Sequence, residues 1–112
     1  NNTGIGVNIL SGKSSISNNT IISSGGDGIY ANGLKNKVFG NTVIGSVTKG
    51  VQVVGNSCIV SGNIVDTSGG VGLEIVTGSN KCLVTSNNLE DNIGTNYVDN
   101  GTGTVASNNI TA

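Results

Sequence analysis

The chain has 112 residues, of which 61 are Gly, Asn, Ser or Thr, and its formal net charge is −1. Leu and Ala together supply only eight residues, which excludes a helical protein, and the 37 Val, Ile and Thr residues argue against disorder. With five Lys and no Arg the sequence shows no basic stripe, and no stretch approaches the ~20 apolar residues of a membrane span. We therefore expect a β-rich chain with many turns, and neither nucleic acid nor a membrane as its partner.

A motif of Gly followed by alternating apolar and other residues recurs with a period of 22 residues. It occupies 6–9, 28–31, 50–53 and 72–75. A second series, in which Asn precedes apolar or β-branched residues, begins at Asn19, Asn41 and Asn63 with the same period, then at Asn88 and Asn109. Two independent markers with one shared period predict a repeat protein.

Each repeat contains three short β-type segments separated by Gly, Asn or Ser. In the first repeat they cover about 6–10, 14–18 and 20–23, and Val7 and Ile9 face one side while Asn8 faces the other. Three short strands per 22-residue turn predict an all-β parallel β-helix whose coils stack at the ~4.8 Å strand spacing. We expect about five coils in one segment, 1–112, with Val and Ile pointing inward.

The last repeat departs from the pattern. Its turns are longer, so we predict an irregular last coil over 94–112. Five coils make a rod of only about 25 Å, which is short for a β-helix. We therefore expect this segment to be the C-terminal part of a longer protein, or to be stabilised by assembly with other chains.

The Asn series has a physical reason in this fold. A sharp bend between the second and third strands requires a residue that tolerates the left-handed region, as Asn does, and stacked Asn side chains can hydrogen-bond from coil to coil. On these features the chain resembles the right-handed parallel β-helix proteins of the pectin-lyase-like superfamily, which includes pectate lyases, polygalacturonases and phage tailspikes. The resemblance identifies Asn19, Asn41, Asn63, Asn88 and Asn109 with the internal asparagine ladder of that family.

The resemblance also implies a ligand groove along the outer face of the first strands and the turns before them. By register the outward column is Asn8, Tyr30, Gln52 and Glu74, and the preceding turn contributes Asp27 and Lys49, with Val71 as an apolar member. Carboxylates, amides and an aromatic ring are groups that hydrogen-bond to sugars and stack on them. The alternative is that these outward residues are polar only for solubility.

Asp66 and Asp91 form a second candidate site. Each lies three residues after an Asn of the second series, so we expect the two to stack on neighbouring coils with Glu90 beside them. Such a pair resembles the carboxylates of a retaining glycosidase and is also suited to a calcium ion. Asp commonly ends strands and caps turns, and this is the reading that we favour, so we expect no cofactor and no metal site, with a structural calcium ion as the alternative.

The absence of His and Arg limits the chemistry. Pectate lyases of the resembled family use an Arg base, polygalacturonases use a set of Asp with His and Arg, and no Ser/His/Asp triad exists without His. The segment is therefore not expected to be catalytic by itself, and a carboxylate-only glycosidase is the surviving exception.

Cys58 and Cys82 occupy similar places in adjacent repeats. Stacking at one strand spacing fits either two buried free thiols or a strained disulfide, and we favour the reduced inward thiols.

The function that we expect is that of a structural, glycan-binding β-helix segment in a surface-directed protein. The resemblance favours a phage tail appendage or tailspike, located at the virion surface or outside the cell, which binds a polysaccharide or cell-surface glycan. It implies a homo-oligomer, a trimer if the protein is phage-derived. Two alternatives are the terminal part of an extracellular polysaccharide lyase or glycoside hydrolase, and a bacterial adhesin or envelope protein.

Overall fold

The computed structural model describes residues 3–111, and these residues form short β-strands joined by turns and bends. This part of the chain contains thirteen strands of three or four residues and no helix. It accordingly holds no apolar helix of membrane-spanning length.

The strands form three parallel sheets, and each sheet takes one strand from successive coils. The first sheet contains β1 (Val7–Ile9), β4 (Ile29–Asn32), β7 (Val51–Val54), β10 (Leu73–Ile75) and β12 (Tyr97–Asp99). The second sheet contains β2 (Ser15–Ser17), β5 (Lys37–Phe39), β8 (Ile59–Ser61), β11 (Leu83–Thr85) and β13 (Val105–Ser107). The third sheet contains β3 (Thr20–Ile22), β6 (Thr42–Ile44) and β9 (Ile64–Asp66), and single bridges through Asn88 and Ile110 continue it. The predicted fold is confirmed: the chain is a parallel β-solenoid of about five turns.

Three bends per coil join the sheets, and we number them in chain order. The first corner lies between the first and second sheets, the second corner between the second and third, and the third corner leads to the next coil. In the first coil these corners span 10–14, 18–19 and 23–28.

The coils stay in register although one of them is longer. Ile29 pairs with Val51, 22 residues away, whereas Leu83 pairs with Ile59 at a spacing of 24. The two extra residues, 77–78, are accommodated in the first corner of the fourth coil, inside a turn closed by the Ser79 N–H donating to the Val76 carbonyl at 3.1 Å. The insertion therefore bulges outward and leaves the sheets aligned.

Alternate strand residues point into one apolar core. In the middle coils these inward residues are buried and are mostly Val and Ile, among them Ile29, Val38, Val43, Val51, Val53, Val60, Val65 and Ile75. In segment 94–112, β12 and β13 pair in register with β10 and β11, and Tyr97, Asp99 and Ala106 take the inward positions. The apolar columns thus end in polar and small residues at this end of the solenoid.

An asparagine column at the second corner runs the length of the solenoid. Its members are Asn19, Asn41, Asn63, Asn87 and Asn109. Asn63 is typical, because its backbone N–H and its side-chain Nδ2 both donate to Asn87 Oδ1, at 3.0 and 2.9 Å. Its second Nδ2 proton goes to the Val38 carbonyl of the preceding coil at 3.0 Å. In the three internal members, Asn41, Asn63 and Asn87, both amide donors and the acceptor are therefore satisfied inside the protein.

The predicted ladder is wrong by one residue in the fourth coil. Asn87 accepts from Asn63, while Asn88 forms the bridge to Ile64 and so takes a third-sheet strand position. Two asparagines stand in tandem here, and the Asn-apolar pattern fits Asn88 better because Leu89 follows it. The column spacing is in fact 24 and then 22 residues, which matches the inserted pair at 77–78.

The ladder residues do not make the left-handed bend that we expected of them. The positive φ angles at the second corner, between 57° and 68°, belong to the preceding residues Asn18, Gly40, Gly62, Ser86 and Asn108. The ladder position is therefore selected for the amide hydrogen bonds, and the residue before it makes the turn.

Glycines at the third corner allow the backbone of adjacent coils to come close. A Cβ on Gly50 would lie 2.6 Å from the Gly72 carbonyl oxygen and would overlap the Val65 side chain. Gly28 has the same surroundings one coil earlier, with the Gly50 carbonyl at 2.7 Å. This close approach explains why the 22-residue glycine repeat begins each first strand.

The ladder assignment predicts a difference between the two adjacent asparagines. Asn87→Ala should lower the free energy of unfolding by about 1–3 kcal/mol or more, because it leaves the Asn63 donors and the Val60 carbonyl buried without partners. Asn88→Ala is the matched control and should change it by less than about 0.5 kcal/mol. Urea unfolding followed by circular dichroism measures both, and equal effects would contradict the assignment.

The glycine column predicts a similar contrast. Gly50→Ala should destabilise the protein by about 1–3 kcal/mol, since the new methyl group overpacks against the next coil. Gly26→Ala, whose Cβ would meet its nearest atoms at 3.6 Å, should shift stability by less than about 1 kcal/mol. The same unfolding experiment compares the two variants. If Gly50→Ala leaves the free energy of unfolding unchanged, the adjacent coils can move apart to accept the methyl group, and the prediction is wrong.

Candidate functional site

The outer face of the first sheet carries a column of polar residues. Strand register places Asn8 beside Tyr30, Tyr30 beside Gln52, and Gln52 beside Glu74. The strand neighbours of Tyr30, Gln52 and Glu74 are buried apolar residues of the core, so these side chains point away from it. The predicted outward column is therefore present, with about one strand spacing of ~4.8 Å between its members.

Two amides that the sequence analysis missed extend this face. Asn32 Nδ2 donates to the Tyr30 hydroxyl at 3.2 Å, and Asn100 Nδ2 donates to Glu74 Oε2 at 3.3 Å. The sequence could have predicted Asn32, because it lies two residues after Tyr30 on one strand and therefore shares its face. Asn100 was not, because its place depends on the 24-residue spacing of the fourth coil.

Lys49 at the third corner reaches the same carboxylate. Its Nζ lies 2.5 Å from Glu74 Oε1, and the side chains are 33% and 15% exposed. Glu74 is thus held by Lys49 at one oxygen and by Asn100 at the other. The Lys49 side chain is partly exposed while Glu74 Oε1 is buried, and the two contacts together orient the carboxylate.

Asp27 occupies the corner position one coil before Lys49. Its Oδ1 accepts from Thr48 Oγ1 at 2.5 Å and from the Lys49 backbone N–H at 3.2 Å. The structure therefore brings all five predicted binding residues to the first-sheet face or the third corner beside it. They are Asp27, Tyr30, Lys49, Gln52 and Glu74.

An apolar strip lies alongside these polar groups. Val54 pairs with Asn32 at the end of β7, and the Val76 N–H donates to the Val53 carbonyl, which aligns Val76 with Val54. Both side chains are half-buried. The face thus combines two half-buried valines with fixed hydrogen-bonding groups beside them, and ligand sites likewise combine apolar side chains with a few placed polar groups.

The predicted Asp66–Asp91 pair is not formed. The Ile64–Asn88 bridge places Asp66 opposite Glu90, two residues further along each strand. Asp91 instead corresponds to Thr67, and both take positive φ angles at the third corner, 59° and 54°. The spacing predicted the wrong partner because Asn87, and not Asn88, is the ladder residue, and Glu90 lies three residues after Asn87. Within residues 3–111 no three His, Cys, Asp or Glu side chains gather as a metal-binding group.

Cys58 and Cys82 are neighbours in adjacent coils, one residue before β8 and β11. Both are free thiols with 1% exposure, and their Sγ atoms donate to the carbonyls of Gly33 and Gly55 at 3.4 and 3.3 Å. The pairing of the two side chains, in which the Cys82 thiol can donate to a Cys58 thiolate, lowers the pKa of Cys58 and raises that of Cys82, while burial raises both pKa values. The structure therefore has the two inward thiols that we favoured, sealed in the first corner.

Comparison of the chain with protein-family models, curated proteins and solved structures finds no match. The β-solenoid fold rests on the strand pairing itself. What the chain binds has to be argued from the chemistry of its own surface.

The burial of the thiols predicts their reactivity. Native protein at neutral pH should take up no maleimide during the time in which urea-unfolded protein takes up two, because the thiols are exposed only when the coils open. Intact-mass spectrometry counts the labels. A mass lower by two hydrogens, with no labelling in urea unless a reductant is added, would instead establish the disulfide.

Proposed function

We propose that this chain is a structural and glycan-binding β-helix segment of a surface-directed protein. The observation that carries the proposal is the outer face of the first sheet, where Tyr30, Gln52 and Glu74 stand in one column beside an apolar strip. The resemblance to pectin-lyase-like β-helix proteins favours a phage tail appendage or tailspike as the parent, at the virion surface or outside the cell.

The chemistry of this face suits a sugar chain. The Tyr30 ring offers an aromatic surface for the C–H face of a sugar, and its hydroxyl is oriented by Asn32. Glu74, fixed by Lys49 and Asn100, offers its Oε2 as an acceptor for a sugar hydroxyl group, since Oε1 is buried against Lys49. Because the column follows the solenoid axis, the favoured ligand is an extended polymer that meets one coil after another.

Exposed apolar side chains elsewhere support assembly of several copies. On the outer face of the second sheet, Leu83 pairs with Val105 of the next coil, and the two side chains are 37% and 60% exposed. Contiguous apolar surface of this kind is typical of protein contacts. A homo-oligomer, with a trimer as the phage-type arrangement, is part of the proposal.

Two rivals belong to different classes. The terminal part of an extracellular polysaccharide lyase or hydrolase would need a carboxylate pair other than the predicted one, because Asp66 stands opposite Glu90 and not Asp91. Asp66 and Glu90, about one strand spacing apart, are the acidic pair that such an enzyme would use. A bacterial adhesin would use the same first-sheet face, so glycan binding is the property to measure first.

The test is a glycan array followed by titration of the best ligand against variants of the chain. Tyr30→Ala should weaken binding by about tenfold, because it removes both the stacking surface and the Asn32-oriented hydroxyl. Tyr30→Phe keeps the ring and should retain part of the affinity. Glu74→Ala should also weaken binding, since Lys49 and Asn100 lose the group they orient.

The matched control is Phe39→Ala, which removes an exposed aromatic ring from the second sheet. It should leave glycan affinity unchanged while Tyr30→Ala lowers it. Absence of any bound glycan, or equal affinities for the Tyr30 and Phe39 variants, would mean that the outward residues serve only solubility.

A further inference from the structure

Lysines that are dispersed in the sequence share one column at the first corner. The column consists of Lys13, Lys35, Ser57 and Lys81. The backbone N–H of each of the first three donates to the carbonyl of the residue that directly precedes the next one in the column. The corresponding bonds from Lys13, Lys35 and Ser57 measure 2.7, 2.9 and 2.8 Å. All four residues have φ angles of 57° or 58°, so their side chains leave the corner in the same direction.

The column concentrates positive charge. Lys13, Lys35 and Lys81 are exposed, and Lys37 lies two residues after Lys35 on β5. Across residues 3–111 the only ion pair is that of Lys49 with Glu74, on the other side of the first sheet. Like charges stacked at about one strand spacing repel each other, so an anion bound between them is favoured.

A cavity is lined by Lys13, and its last lining residue, Leu34, directly precedes Lys35. Its volume is about 480 Å³, and Leu10, Leu34, Asn32 and Lys13 are among its lining residues. The two leucines are 70% and 57% exposed, which leaves an apolar wall open to solvent beside the ammonium groups. Asn32 belongs both to this cavity and to the hydrogen bond with Tyr30, so the cavity is continuous with the first-sheet face.

We propose that this corner binds the anionic groups of an acidic glycan, with carboxylate or sulfate on Lys13 and Lys35 and a sugar ring against Leu10 and Leu34. The inference rests on the proposed glycan-binding function and names its ligand class. Single-stranded nucleic acid is disfavoured, because such binding needs a series of aromatic rings, and Tyr30 is the only one on this side.

The experiment titrates the full chain with polygalacturonate, dextran sulfate, neutral dextran and single-stranded DNA. The test variant is Lys13→Gln/Lys35→Gln, and Lys13→Arg/Lys35→Arg is the control that keeps both charges. The Gln variant should bind the acidic glycan about tenfold more weakly and with a flatter dependence on salt, whereas the Arg variant should bind as the wild type does. Polygalacturonate and dextran sulfate separate carboxylate from sulfate recognition.

The outcomes distinguish this inference from the proposal on which it rests. If dextran binds as well as the charged polymers and the Gln variant is unaffected, the lysine site is wrong and the first-sheet glycan face stands. If no glycan binds, both are wrong. If DNA binds more tightly than either acidic glycan and the Gln variant loses it, the corner is a nucleic-acid site and the ligand class is overturned.

Discussion

Each buried amide of the asparagine column needs partners one strand spacing away, and this requirement fixes the register of the whole solenoid. A slip of one residue at Asn63 would leave its donors, the Asn87 oxygen and the Val38 carbonyl buried without partners. The same slip would turn every core residue of the strand outward, since side chains alternate with a period of two. The insertion at 77–78 shows the consequence, because the extra residues leave the coil at the first corner and the column continues unchanged.

The candidate binding face inherits its geometry from that register. Tyr30 lies between Ile29 and Ala31, which are fully buried, so the position of its ring follows from the packing of the core. Glu74 is likewise flanked by buried residues and is oriented by Lys49 and Asn100. A ligand that binds such preorganised groups meets a surface that needs little ordering, which favours recognition by many modest contacts along an extended chain.

The sequence period was sufficient for the fold and for the outward column, because both depend on repeated spacing alone. It was insufficient in the fourth coil, where tandem asparagines made Asn88 look like the ladder residue and displaced the expected partner of Asp66. Burial and hydrogen bonding decide between the two asparagines, and neither is visible in the spacing. Asn100 is hidden for a related reason, since its contact with Glu74 spans the inserted residues.

The coiling of the chain also brings together charged residues that are far apart in the sequence. The sequence has only five lysines, yet coiling places three of them in one exposed column. The carboxylates gather elsewhere, and four of the six lie on the third sheet or at the third corner: Asp27, Asp66, Glu90 and Asp91. A chain that is nearly neutral overall therefore carries most of its lysines along one edge of the first sheet, where Asp99 is the one acidic residue of the described chain, and most of its carboxylates along the other. Glu74 on the sheet between them pairs with Lys49 at the third corner, the one ion pair within residues 3–111. A polymer lying along the first sheet would consequently be oriented by its own charge, with acidic groups directed toward the lysine edge.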